Sequence, residues 1–110
     1  MPTFQEIDAA TLHAMLATGP RPVLVDVRGS DETARGVIDG ALLLPLHLLP
    51  LRADELEGDA PLVFYCHSGI RSAQAGSFMA GRGREHVYNL RGGVLAWGMA
   101  GYALQPPPRE

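Results

Sequence analysis

The chain has one cysteine, Cys66, and no lysine among its 110 residues. A single cysteine excludes an intramolecular disulfide and the paired CxxC spacing of thiolate-held metals, so neither an oxidative staple nor a cysteine-rich zinc site supports the fold. Four scattered histidines (His13, His47, His67 and His86) lack any HExxH-type spacing, and no metal or other cofactor is expected. Long hydrophobic runs are also missing. The longest, Ala41–Leu51, is broken by Pro45, His47 and Pro50 and falls far short of the ~20 apolar residues of a membrane span. The opening Met-Pro-Thr-Phe-Gln-Glu has neither the basic nor the apolar region of a secretory leader, so the expectation is a cytoplasmic protein without a signal peptide. An excess of positive charge is absent too, since the formal net charge is −3. That argues against nucleic acid as a partner, and the broken apolar runs argue against a membrane.

What is present suits one small domain. The chain is 46% hydrophobic, enough for a single core, and its length is near the commonest for a domain. Charge is uneven: residues 1–61 hold ten acids and four arginines, a balance of −6, and residues 62–110 hold five arginines and two acids, a balance of +3. The C-terminal half therefore favours a small anion.

Asp8 reads as a helix N-cap, with Ile7 and Leu12 at the two positions of a hydrophobic staple. Leu12, Met15 and Leu16 form one apolar face, and Gly19-Pro20 stops that helix. Val23–Val27 is a short β-branched run of the kind buried on both faces of a sheet. A helical turn is expected over 32–36, an apolar stretch over 41–44, and short helices over 46–57. Leu62–Tyr65 reads as a strand, Cys66–Ser72 as a polar loop and Ser72–Gly81 as a helix of small residues packed close to the sheet. Val87–Leu90 is a further strand, Gly92-Gly93 a turn, and 94–100 a last helix. Strands alternating with helices predict an α/β fold, a small and mostly parallel sheet with helices on both faces. The domain is expected over 1–104, with 105–110 as a Pro-rich extended tail that joins no ladder.

In parallel sheets ligands gather at the carboxyl ends of strands. There stands Cys66-His67-Ser68-Gly69-Ile70-Arg71-Ser72. A following helix N-terminus, the fixed charge of Arg71 and a nest of N–H groups made possible by Gly69 would each favour a thiolate over a thiol. Each residue also has a plainer reading. Cys66 suits a small buried hydrophobe, Arg71 a surface ion pair, and His67 a neutral surface residue rather than a base or an anion contact. Ser68 and Ser72 suit donation to an anion, and Ser72 equally suits capping of the next helix. The polar, glycine-containing loop after the cysteine favours the chemical reading.

Three separated segments resemble the rhodanese-homology domain. The first is Asp26-Val27-Arg28 with Glu32, Gly36, Ile38, Gly40, Ala41 and Pro45 at the family's spacing. The second is Tyr65 through Ala73, and the third Leu90-Arg91-Gly92-Gly93 with Trp97. Thr33, Val37 and Asp39 depart from the pattern, where the family prefers an aromatic, His and Pro. The resemblance implies a single-domain sulfurtransferase in which Cys66 is the catalytic nucleophile, holding sulfur as a persulfide. It implies that His67, Ser68, Gly69, Ile70, Arg71 and Ser72 form the substrate cup, that Asp26, Arg28 and Glu32 make structural ion pairs nearby, and that Trp97 is core. The implied donor is a small sulfur anion such as thiosulfate, and the acceptor a thiol or cyanide. The alternative is a persulfide relay or binding module without turnover, loaded by a partner protein. Four residues between Cys66 and Arg71 place the loop with sulfurtransferases, because related phosphatases have five.

Overall fold

The computed structural model describes residues 3–108. Five strands, β1 (Phe4–Ile7), β2 (Val23–Asp26), β3 (Leu42–Leu43), β4 (Leu62–Tyr65) and β5 (Val87–Leu90), form one sheet in the order β1-β5-β4-β2-β3. Every pairing between them is parallel. The expected α/β architecture is therefore observed.

Side-chain alternation splits the core into two layers. Val25, Phe64 and Val87 face one side, packed under helices α3 (Leu49–Arg52) and α4 (Ile70–Gly81) through Leu49, Ala75 and Met79. Leu24, Val63, Tyr65 and Leu90 face the other, packed under α1 (Ala9–Ala17) and α5 (Gly93–Met99) through Leu12 and Trp97. Central β4 is fully buried along its length, which is why its residues are apolar without interruption. Burying each such large side chain contributes roughly 1.5–3 kcal/mol.

Local signals explain the element ends. The Asp8 carboxylate accepts the Thr11 N–H at 2.8 Å, and Ile7 packs with Leu12 in the same apolar layer, as the cap and staple require. In α4, Gly76 lies so close to β1 that an added Cβ would stand 3.1 Å from Cγ of Phe4, which accounts for the small residues of that helix. Trp97 is buried and donates its indole N–H to the Ala103 carbonyl.

One element goes unread in the sequence, and three expectations need correction. Phe4–Ile7 is a strand, paired with β5 from Phe4↔Val87 to Ile7↔Leu90, although its composition gave no strand signal. The short helix α2 spans Ser30–Thr33, ahead of the expected 32–36, because the Glu32 carboxylate turns back to accept the Gly29 N–H at 3.1 Å. Helix α4 begins at Ile70, two residues before Ser72. Finally, Gln105, at the head of the Pro-rich segment, exchanges two backbone hydrogen bonds with Val37 (2.7 and 2.8 Å) in an antiparallel bridge, so the start of that segment is tied to the domain. Arg109 and Glu110 lie outside the described residues.

Candidate active site

Cys66 follows β4 directly, at the carboxyl edge of the sheet, and is 1% exposed. Its Sγ accepts the N–H of Gly69 at 3.1 Å, the N–H of Ser72 at 3.5 Å and the hydroxyl of Ser72 at 3.4 Å. Two opposed effects act on the thiol. Burial pushes its pKa up, and the donors of Ser72, Gly69 and Ser68 together outweigh burial, so the net shift is downward. The cysteine is thus buried, as the plain reading held, and its sulfur is surrounded by donors.

The loop's donors are aimed from behind. Cys66 O accepts from Val94 N at 2.9 Å, and His67 O from Leu95 N at 3.2 Å, both amides belonging to the first turn of α5. Carbonyl and N–H point in opposite directions across a trans peptide, so these bonds turn the His67 and Ser68 N–H groups away from α5. The close approach depends on Gly93, whose φ is +57°. A Cβ there would collide with the Cys66 carbonyl oxygen and lie 2.5 Å from that of His67. Gly69 caps α4 at φ +102°, and its Cβ would meet Gly92 N at 3.1 Å. The Gly92-Gly93 pair, read from sequence as a turn, is the seat of the cysteine loop.

Arg71 makes a two-pronged pair with Glu32, Nη1 to Oε1 at 2.6 Å and Nη2 to Oε2 at 2.7 Å. This bond, against the opposing pull of partial burial, holds the Glu32 carboxyl down to about 2. The Cys66 charge acts on Arg71 only after that bond and its partial burial, so Arg71 is a cation already neutralised beside the cup. Arg71 thus makes the ion pair of its plainer reading, while the groups seen on Sγ are the amides of Gly69 and Ser72 and the Ser72 hydroxyl. The Ser72 cap reading is replaced: the residue lies inside α4, fully buried, with its hydroxyl on the sulfur. His67, Ser68 and Ile70 keep their backbones in the loop and first helical turn while their side chains are exposed, Ile70 at 69%. The His67 side chain lines a surface recess beside the loop with Arg28, Glu32, Arg35 and Val94.

A second ion pair braces the neighbouring strand end. Asp26, fully buried, accepts from Arg28 N at 2.9 Å, from its Nε at 3.1 Å and from its Nη2 at 2.8 Å, and Arg28 Nη2 also donates to Gly36 O at 2.7 Å. Asp26, Arg28 and Glu32 therefore hold the structural roles expected of them. Thr33 and Val37, two of the departures from the family pattern, are buried, and Asp39 is exposed. No cluster of three metal-ligating side chains occurs among the described residues.

Ser72→Ala is expected to slow alkylation of Cys66 at pH 7 by ~10-fold, the size of losing one hydrogen bond to a charged group. The pH–rate profile should move to higher pH, because the lost donor favoured the thiolate. Iodoacetamide kinetics between pH 5 and 10 read this directly, and an unmoved profile would remove Ser72 from the site.

A thiol held by converging amides at the carboxyl end of a parallel sheet is an arrangement that suits thiolate chemistry. The rhodanese-like domain family matches residues 8–100. A sulfurtransferase of Allochromatium vinosum is 43% identical over 102 residues, covering 93% of this chain and 95% of its own. A thiosulfate sulfurtransferase of Ectopseudomonas mendocina is 33% identical, covering 88% of this chain and 87% of its own. The crystal structure of a rhodanese-like domain protein from Staphylococcus aureus superposes with a TM-score of 0.83 at 28% identity, covering 93% of this chain and 99% of that one. The chain belongs to the rhodanese-like domain family and, with these relatives, to its sulfurtransferases.

Proposed function

We propose that this protein moves a sulfane sulfur from a small anionic donor such as thiosulfate to a thiophilic acceptor through a persulfide on Cys66. The observation that carries this reading is the set of donors on Sγ, at 3.1, 3.4 and 3.5 Å, from Gly69 and Ser72. They favour the thiolate, and donors converging on one sulfur suit a second sulfur anion attached to it.

In the first half-reaction the Cys66 thiolate attacks the outer sulfur of thiosulfate. A sulfur–sulfur bond to the protein forms, the bond to the sulfonate sulfur breaks, and sulfite departs with the electron pair. The enzyme keeps one sulfur as a persulfide anion. In the second, cyanide or a thiolate attacks that terminal sulfur, leaves with it and restores the Cys66 thiolate. Because the chain holds no second cysteine, the acceptor is an external molecule. Two separate half-reactions predict ping-pong kinetics. We place this chemistry in the reducing cytoplasm, where a lone thiol stays free.

A relay version of the same chemistry, with the persulfide loaded by a partner protein, is favoured by one observation. Arg71, the arginine of the cysteine loop, is already engaged by Glu32, which leaves it less available to a dianionic donor. Intact-mass measurement after incubation with thiosulfate separates the two. A gain of one sulfur, removed by cyanide and absent in Cys66→Ser, is expected. No adduct with thiosulfate but loading by a protein persulfide would select the relay, and failure of both donors would end the sulfur-transfer reading.

A further inference from the structure

Asn89 stands on β5 with 1% exposure, registered between Glu6 of β1 and Phe64 of β4. A strand paired on both sides in a covered parallel sheet ordinarily fills such a position with an aliphatic residue. Here the amide Nδ2 donates to the Glu6 carboxylate, at 2.9 and 3.2 Å to its two oxygens, and to the carbonyl of Gly69 at 3.2 Å. Its Oδ1 is buried without a partner. A carboxylate and a carbonyl can only accept, so they dictate which end of the amide faces the loop. An orphaned buried acceptor is a standing penalty that valine or leucine would avoid. What the asparagine supplies in return is a tether on the cysteine loop.

We propose that Asn89 is a positioning residue for the thiolate cradle, aimed by Glu6 from the edge strand and acting through the Gly69 peptide. The Gly69 carbonyl already accepts the helical bond from Ala73 N at 3.2 Å, and Asn89 takes its second lone pair. Both bonds hold that oxygen in place, and with it the orientation of the planar Gly69–Ile70 peptide. They also fix the residue whose own N–H reaches Sγ at 3.1 Å. Loop carbonyls are thus tied at three points: Cys66 and His67 by backbone amides of α5, and Gly69 by a side chain, which can be removed by substitution.

The inference deepens the sulfur-transfer reading, and its test needs no sulfur donor. Cys66 is the only cysteine, so iodoacetamide alkylation reports on it alone. Asn89→Leu is expected to slow alkylation at pH 7 about three- to tenfold and to move the pH–rate profile upward, and Glu6→Ala to act in the same direction by about two- to threefold. Glu6→Gln keeps an acceptor oxygen for Asn89 and should behave as the parent protein. If Glu6 acted through its charge, Ala and Gln would both speed alkylation, since removing a nearby negative charge favours a thiolate; that result overturns the proposal. So does a parental profile in both Asn89→Leu and Glu6→Ala. Melting curves establish that each variant is folded, and Glu6, exposed on the edge strand, keeps the test decisive if Asn89→Leu fails to fold. Altered alkylation in these variants beside a parent protein that accepts no sulfur would sink the sulfur-transfer reading and leave Asn89 in its role.

Discussion

Replacing Gly93 with alanine is expected to abolish measurable sulfur loading of Cys66 and to destabilise the domain by about 2–5 kcal/mol, combining left-handed backbone strain with overpacking. The added Cβ would strike the Cys66 carbonyl oxygen and stand 2.5 Å from that of His67, with φ held at +57°. Both carbonyls are bound to the first turn of α5, so relief requires the loop to lift away from the helix. A displacement of about 1 Å at a reacting atom is worth ~100-fold in rate. Gly98 offers the control within the same helix, because a Cβ there meets nothing within 4 Å. Intact mass after thiosulfate and a thermal melt check the pair: Gly98→Ala should load and melt as the parent does. Full loading of Gly93→Ala would mean that the loop does not depend on its seat.

The second large effect is expected at Asp26. Asp26→Ala leaves the Arg28 guanidinium, 5% exposed, without its carboxylate, and breaking one side of a buried pair costs about 3–5 kcal/mol. For a domain of this size that is a fall of roughly 15–30 °C in melting temperature. Replacing both partners together, as Asp26→Leu with Arg28→Met, should cost clearly less than Asp26→Ala alone, since no charge is then stranded. A double-mutant cycle read by chemical denaturation measures the difference. If the double variant is the less stable, the pair is a net stabiliser of this strand end and the desolvation argument fails here.

Sequence and structure agree where a short-range signal decides the outcome. The Asp8 cap, the unbroken apolar run of β4 and the place of Cys66 at that strand's end are all readable from neighbours a few residues apart. They diverge where the deciding partner is remote. Phe-Gln-Glu-Ile has a polar middle, and only parallel pairing with Val87–Leu90 makes it a strand. An ion pair suits Arg71 from sequence, but its partner, Glu32, lies 39 positions earlier and only the fold names it. Ser72 suits either a donor or a cap from sequence, and the donor role prevails because α4 opens two residues earlier, after the glycine of positive φ. Gly92-Gly93 carries a turn signature, but the reason for the second glycine is a carbonyl contributed by a different strand end. Asn89 offered no signal at all, being a polar residue in a run otherwise fit for a strand.

The cradle around Sγ is built mostly of main-chain groups, and that separates two kinds of evolutionary constraint. Side chains at 67, 68 and 70 are exposed while the amides of Ser68, Gly69 and Ser72 favour the thiolate, so those side chains can be exchanged without rebuilding the reactive centre. Drift at those three positions can retune which molecules approach the thiol, and the chemistry beneath is inherited unchanged. Gly69, Ser72 and Gly93, which touch the sulfur or seat its loop, lack that freedom.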